Sequence, residues 1–397
     1  MRRRNRSKLP LIPILGIAAV VLASIMIYNS GLLVNLGIMK SGIPENIGLD
    51  PNDPRVIAKV DETLDRNAVK DTVNKVLNLI TGKPEQGVVV VSAHDVAKGF
   101  DVAGFSFVLE DAITNQAIET LVTGSDGLAT SIPVNYKKAY RIRQVDTPYP
   151  YLASNSEVIF EMKADIMSIR VDQKPNEMVK AYERASDGSI TVTDFKIGVP
   201  LILQKPSLPN GCEITALTSL MNYYGYDVTK ETLSDEFLPK APFYRKNGQL
   251  YGADPDIAFS GDPRDPAGWF SYAPPTVQAG GKYLDTVNGT HNVIDITGST
   301  ESEIMAYVAQ GIPVGIWATR DLELANYAYG WYLDGTETFF KAAINLHCMV
   351  IDGFSGDSLY VMDPLEGEMV YDRATFFESY VSLGSRAMIM EEKSNEQ

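Results

Sequence analysis

The twenty residues from Leu9 to Tyr28 carry no charged side chain, and the eight before them include Arg2, Arg3, Arg4, Arg6 and Lys8. A run of about 20 apolar residues matches the roughly 30 Å hydrocarbon layer of a bilayer. It is also longer than the ~7–15-residue core of a cleavable signal peptide. Residues 1–29 are therefore read as a transmembrane signal anchor, with a cleaved signal peptide and a secreted product as the competing reading. Basic residues ahead of the span hold the N-terminus in the cytoplasm. A single-pass cell-membrane protein follows, with everything after Tyr28 expected outside.

The formal net charge of −15 includes that basic head, so the remainder is more acidic still. Nucleic acid is excluded as a partner class, because binding phosphates requires clustered Lys and Arg. The chain lacks both a phosphate-cradling Gly-Lys-Ser or Gly-Lys-Thr motif and further long apolar spans, which speaks against a transporter or ATPase. With only two cysteines, Cys212 and Cys348, an exported chain of this length is no disulfide-built scaffold.

Residues 30–85 open with a Gly-, Pro- and Asn-rich stretch. From Pro54 to Ile80, Val56, Val60, Leu64, Val69, Val73, Val76 and Leu77 follow helical spacing up to the stop Thr81-Gly82-Lys83-Pro84. This segment is read as a helical stalk. Over residues 86–171 the texture changes to short β-branched runs: Val88 to Val91, Phe105 to Leu109, Ala117 to Val122, Tyr140 to Val145, and Val158 to Met162. Turn signals such as Gly124-Ser125-Asp126-Gly127 separate them, which indicates a β-sandwich. The polar stretch 172–196, ending in strand-like Ile190 to Val192, is read as a linker.

The order of the opening strand, Gly104-Phe105-Ser106-Phe107, Thr123-Gly124-Ser125-Asp126-Gly127 and Tyr140-Arg141-Ile142-Arg143-Gln144, with Tyr151 beyond, resembles the SpaA-like, collagen-adhesin B-type domains of Gram-positive surface proteins. The resemblance implies a prealbumin-like sandwich and, in many members, a lysine–asparagine isopeptide bond assisted by an acid. Here the opening strand reads Val91-Ser92-Ala93-His94-Asp95, without a lysine, and Gln144 stands at the acid position. An amide cannot move the proton that a carboxyl group would, so no such cross-link is expected. The domain is read as a passive spacer or adhesive module.

The chemistry concentrates in the last segment. Leu208-Pro209-Asn210-Gly211-Cys212-Glu213 leads into helical spacing at Ile214, Leu217, Leu220 and Met221. Cys212 thus sits at the first turn of a helix, where unpaired amides and the helix dipole favour a thiolate. His347 follows an apolar lead-in within Ile344-Asn345-Leu346-His347-Cys348-Met349-Val350-Ile351-Asp352-Gly353, 135 residues on (347 − 212). That separation falls in the ~130–150 range between thiol and base in papain-type enzymes. A turn at Gly353 to Gly356 and a strand Ser358 to Met362 then bring Asp363 back beside His347, to orient the imidazole. Gln204, eight residues before the cysteine, could donate its amide to an oxyanion together with the Cys212 N–H.

Residues 197–392 resemble the C39-like cysteine peptidases related to the double-glycine leader peptidases of bacteriocin exporters. Besides the motif at Cys212, the resemblance rests on Gly261-Asp262-Pro263, Tyr272-Ala273-Pro274, Lys282-Tyr283-Leu284, Gly311-Ile312-Pro313-Val314, His347-Cys348 and Asp363-Pro364-Leu365. It implies Cys212 as nucleophile, His347 as base, Asp363 as orienting acid and Gln204 as oxyanion donor, with no cofactor. The whole chain is thus expected to be multidomain: an N-terminal transmembrane helix and helical stalk, an all-β prealbumin-like sandwich, then an α+β papain-like cysteine peptidase domain.

Competing readings stand beside these. Cys212 could be a buried structural residue or pair with Cys348 in a disulfide. The latter conflicts with alternation along a strand, since His347 and Cys348 point to opposite faces. Asp363 before Pro364 could merely start a turn. His94 and His291 are expected on loops or exposed faces. The Asp254-Pro255-Asp256 and Asp262 to Asp265 clusters lack the spacing of a calcium loop and read as solvated turns. Aromatic residues from Tyr329 to Tyr332 and around Trp269 to Tyr272 either line a substrate cleft or pack the core. The leading expectation is a membrane-tethered, outward-facing peptidase acting on peptide or protein substrates, cell-wall peptides among them. The alternatives are an amidase or transpeptidase using the same residues, and an inactive peptidase-like surface adhesion protein.

Overall fold

The computed structural model describes residues 86–393. The anchor expected over 1–29 and the stalk expected over 30–85 lie outside the described residues. Among the described residues no helix is long and apolar enough to cross a membrane. The described chain divides into two compact units. One runs to Pro175 and takes in Ser186–Ser189; the other holds Asn176–Ala185 and everything from Ile190 on.

The first unit consists of β1 (Gln86–Asp95), β2 (Phe100–Asp101), β3 (Ser106–Asp111), β4 (Ala117–Val122), β5 (Leu128–Thr130), β6 (Val134–Asn135), β7 (Ala139–Asp146), β8 (Glu157–Glu161) and β9 (Ile166–Gln173). One antiparallel sheet has the order β4-β3-β7-β8. In the other, β1 is flanked by β2, β5, β6 and β9. Period-two burial gives each sheet one apolar face: Val89, Val91 and Ala93 on β1, Phe107 and Leu109 on β3, and Tyr140 and Ile142 on β7. All five strands marked in the sequence are present. β9 adds a parallel pairing with β1, from Val88↔Ile166 to Asp95↔Gln173. A parallel partner arrives by a crossover and so leaves no hairpin signature in the sequence.

Gln144 holds a non-covalent polar bridge in this unit. It exchanges amide hydrogen bonds with Gln173 at 2.9 and 3.3 Å, while Tyr151 Oη donates to the buried Asp95 at 2.7 Å. The expectation of exposed histidines is corrected. His94 lies on β1 with Nδ1 2.8 Å from Asp101 Oδ1, and His291 lies on a strand of the second unit with Nδ1 2.8 Å from Tyr226 Oη; both are buried. A polar partner for each ring makes that burial tolerable.

The stretch 172–196 is also not a linker. It forms the hairpin β10 (Val179–Arg184) and β11 (Ile190–Lys196), and β11 adds to the main sheet of the second unit through Asp194↔Ser355, Phe195↔Phe354 and Lys196↔Gly353. Its polar composition reflects a half-exposed edge hairpin, while Phe195 is fully buried and stacks on Phe354.

The remaining elements of the second unit are α1 (Cys212–Tyr223), β12 (Lys240–Ala241), β13 (Tyr244–Lys246), β14 (Gln249–Gly252), β15 (Phe259–Ser260), α2 (Ala273–Thr286), β16 (His291–Asp295), α3 (Glu301–Ala309), β17 (Val314–Thr319), β18 (Tyr329–Leu333), β19 (Phe339–Ala342), β20 (Leu346–Ser355), β21 (Ser358–Asp363), β22 (Gly367–Asp372), α4 (Arg373–Ser382) and β23 (Ala387–Glu392). The eight-stranded sheet has the order β10-β11-β20-β17-β23-β16, with β21 on β20 and β22 on β21. A smaller sheet, β13-β14-β18-β19, stands apart. This is an α+β unit whose helix α1 packs on β20 and β17.

β20 changes one partner along its length, from β17 to β11, at a register shift between Ile351 and Gly353, while β21 pairs with it on both sides of that shift. Gly353 has φ +149°, and a Cβ there would lie 2.0 Å from the Phe195 carbonyl oxygen. Only glycine allows that approach. Gly353→Ala is expected to destabilise this unit by at least about 2 kcal/mol. That loss lowers its melting temperature by roughly 4–8 °C, measured by circular dichroism.

Candidate active site

The loop before Cys212 is fastened at both ends. Gln204 N donates to Pro364 O at 2.8 Å, Leu208 N to Gln204 O at 3.0 Å, and Asn210 N to Pro263 O at 3.2 Å. At Gly211 a Cβ would lie 2.7 Å from Leu208 Cβ, so a side chain there would push the loop off its course into α1. The helix is buried from Cys212 through Met221. Its buried polar side chains find partners, Thr215 and Thr218 donating to the carbonyls of Gly211 and Ile214 at 2.7 Å.

On the facing strand, β20 carries His347 opposite Ala318 of β17. The last β20–β21 rung is Val350↔Met362. One step further the same register sets Asp363 opposite Met349 and therefore diagonal to His347 on one face. The side chains meet there: His347 Nε2 lies 2.7 Å from Asp363 Oδ1, with the two side chains 2% and 1% exposed. Burial alone would raise the Asp363 pKa. The hydrogen bond and charge of His347, joined by the amides of Leu365 at 2.7 Å and Glu366 at 3.3 Å, outweigh it and hold the carboxyl below its usual range. Tyr371 Oη donates to the other carboxylate oxygen at 3.3 Å. Asp363 does begin a turn, as the bland reading had it, and it also grips the imidazole. An ionised Asp363 fixes the tautomer with the proton on Nε2, leaving Nδ1 as the basic nitrogen.

Cys212 is buried at 7% exposure and both cysteines are free thiols. Its electrostatics correct the expectation of a stabilised thiolate. Burial first, and then the adjacent Glu213 carboxylate, push the thiol well above its ordinary value, against a smaller opposing contribution from the Cys348 backbone. The helix start does not outweigh desolvation in so dry a site. Cys212 Sγ donates to Glu213 Oε2 at 3.3 Å.

Glu213 is the functional-site residue that sequence reasoning missed. It is 1% exposed, and burial pushes its carboxyl up to about 7. Its second oxygen accepts from Ser271 N at 3.1 Å, and Trp317 Nε1 in turn donates to Ser271 O at 3.1 Å. Helix α1 is thereby tied to the 269–272 segment. A signal was present: Glu213 is the only charged residue in α1, in a helix otherwise suited to complete burial.

Gln204 is 2% exposed, and its Nε2 donates to Pro209 O at 2.6 Å, across the loop that precedes Cys212. Its Oε1 is buried without a partner among the described residues. Cys348, fully buried, belongs to the core. The acidic clusters serve their own loops: Asp254 accepts from Asp256 N, Asp256 pairs with Arg386, Asp262 pairs with Lys240, and Asp265 accepts from Ala267 N.

The Glu213 carboxyl holds its proton to about pH 7 when folded, against an ordinary value of 4.5. Its contribution to stability is thus fully present below about pH 4.5 and lost as the pH rises through 7. At ~1.36 kcal/mol per unit the difference is about 3 kcal/mol. Glu213→Gln, which cannot ionise, is expected to flatten the stability profile between pH 4.5 and 7, measured by denaturant melts. An unchanged slope would remove Glu213 from the buried proton inventory.

Residues 196–388 match the model of the Peptidase_C39 like family. The uncharacterized protein YvpB of Bacillus subtilis (strain 168) is 29% identical over 191 residues, which cover 48% of this chain and 72% of that protein. A crystal structure described as that of a C39-like peptidase from Bacillus anthracis is 27% identical, covering 50% of this chain and 97% of its own, at a TM-score of 0.44. BcpA, the major pilin subunit of Bacillus cereus, is 16% identical over 23% of this chain and 31% of its own, at a TM-score of 0.22. Residues 196–388, which hold Cys212, His347 and Asp363, are thus the part of the chain that is similar to the Peptidase_C39 like family.

Proposed function

We propose that the second unit hydrolyses peptide bonds, with Cys212 as nucleophile, His347 as general base and acid, and Asp363 as the group that orients it. The observation that carries this reading is the buried His347–Asp363 pair at 2.7 Å on the strand against which the Cys212 helix packs. A dry, ionised carboxylate on Nε2 stabilises the imidazolium that forms when Nδ1 takes up a proton.

The raised thiol pKa shapes the mechanism. The resting thiol is neutral, so the proton passes from Cys212 to His347 as sulfur attacks the scissile carbonyl, rather than beforehand. The C–S bond forms, the tetrahedral oxyanion is held by the Cys212 N–H and the Gln204 amide, and collapse expels the amine with the proton from His347. Water, deprotonated by the same imidazole, then cleaves the thioester and restores the thiol. For Gln204 to serve the oxyanion, its second N–H must act while the first keeps Pro209 in place. The anchor read in residues 1–29 extends the proposal to a membrane-tethered enzyme facing outward, with peptide or protein substrates.

Cys212→Ala is expected to abolish hydrolysis of peptide substrates by the full chain, and His347→Ala to lower kcat by about 10²–10⁴-fold. Asp363→Asn is expected to lower kcat with little change in KM, the mark of a group acting in the transition state. A wild-type chain that binds peptides yet turns over none, and whose iodoacetamide labelling equals that of His347→Ala, would sink the catalytic reading in favour of adhesion. The anchoring arm is checked separately: full-length protein is expected in the membrane fraction of expressing cells, with the second unit accessible to external protease.

A further inference from the structure

Beside the loop that leads to Cys212 lies a cavity of about 460 Å³, within the size range of ligand pockets. One wall is the stacked pair Trp269 and Tyr329, with ring centroids 4.5 Å apart and planes within 8°. Phe243 and Leu250 line it further, and Phe243 rests edge-on against the buried Trp331. The sequence left open whether these aromatics pack the core or line a cleft. Trp331 and Phe270 do the former, whereas Trp269 and Tyr329 do the latter, Tyr329 with 43% of its surface exposed.

We propose that this cavity is the specificity pocket of the peptidase reading above, on which the inference rests, and that it receives an aromatic side chain, Phe or Tyr, of the peptide substrate. Two connections place it next to the nucleophile. Asn210, two residues before Cys212, donates through its side chain to Asp265 O at 2.9 Å and through its backbone to Pro263 O, and the 261–269 loop forms a cavity wall. Two residues beyond Trp269, the Ser271 amide is gripped by Glu213 at 3.1 Å. The wall and the thiol thus hang on the same side chain and the same loop.

The chemistry of the lining selects the occupant. Lys240 and Asp262 neutralise each other at 3.1 Å. Arg245 and Asp265 stand at exposed positions, and Asp265 is engaged by Ala267 N at 2.8 Å. The cavity therefore presents no buried unpaired charge that would call for a charged ligand. An aromatic ring gains both apolar burial and offset stacking on the Trp269–Tyr329 pair, which an aliphatic side chain of similar size gains only in part.

The test uses the full chain carrying Cys212→Ala, which keeps the pocket and removes the nucleophile, and two probes, acetyl-Ala-Phe-Ala-Ala amide and acetyl-Ala-Ala-Ala-Ala amide. Of the three tryptophans, Trp317 and Trp331 are fully buried, so probe-induced changes in acrylamide quenching read Trp269. The Phe peptide is expected to bind about tenfold or more tightly than the Ala peptide and to shield Trp269 from quencher. By titration calorimetry, which needs no tryptophan reporter, Trp269→Ala is expected to erase the preference, and Tyr329→Ala to weaken it, which covers the case in which the tryptophan variant fails to fold. Equal affinity for the two probes, or a preference that survives both substitutions, overturns the pocket. Wild-type turnover of the same probes separates the two claims: a Phe preference in binding without any cleavage counts against the peptidase reading alone. Cleavage of both probes at equal kcat/KM counts against the pocket alone.

Discussion

Strand β20 is shared by every part of the second unit that bears on chemistry. It pairs with β17 along Leu346–Ile351, with β11 beyond its irregularity, with β21 on both sides of it, and supports α1 on its face. Each pairing fixes one coordinate of the site. The β17 ladder sets the height of His347 in the sheet, the β21 ladder brings Asp363 diagonal to it, and the helix packed across the strand brings Cys212 to the same region. A one-residue slip anywhere would turn His347 into the core and Cys348 outward. The glycine at 353 lets one strand serve three neighbours, because it lets β11 approach where any side chain would collide with the Phe195 carbonyl.

The dryness of the site then decides its electrostatics. Burial raises both buried carboxyl groups; at Asp363 the hydrogen bond and charge of His347, with two backbone amides, outweigh it, whereas at Glu213 desolvation prevails and pushes the group up to about 7. Burial, and then the neighbouring Glu213, push the Cys212 thiol well above its ordinary range.

Much of the site was legible in the chain because its parts are local. Gly211-Cys212 before a helical apolar repeat, an apolar strand around His347, and a turn leading to Asp363 all follow from short-range spacing, and the hairpin makes the His347–Asp363 contact almost a local one. What escaped was non-local or concealed by composition. The 172–196 stretch looked like a linker because a half-exposed edge hairpin is polar on one side. β9 joined β1 in parallel without any hairpin signal. His94 and His291 are buried because partners distant or modest in sequence satisfy them.

The sequence by itself determined the residue types, their order and the periodicities that make a strand-rich segment followed by an α+β family domain, because these depend on alternation, turns and motif spacing. The tertiary structure alone decided the direction in which the Cys212 thiol is pushed, the burial and partners of Glu213, and the division of the aromatics between core and cavity. Those properties depend on which groups share a volume from which water is excluded, and exclusion is set by the packing of β20, α1 and the 261–272 segment from distant parts of the chain.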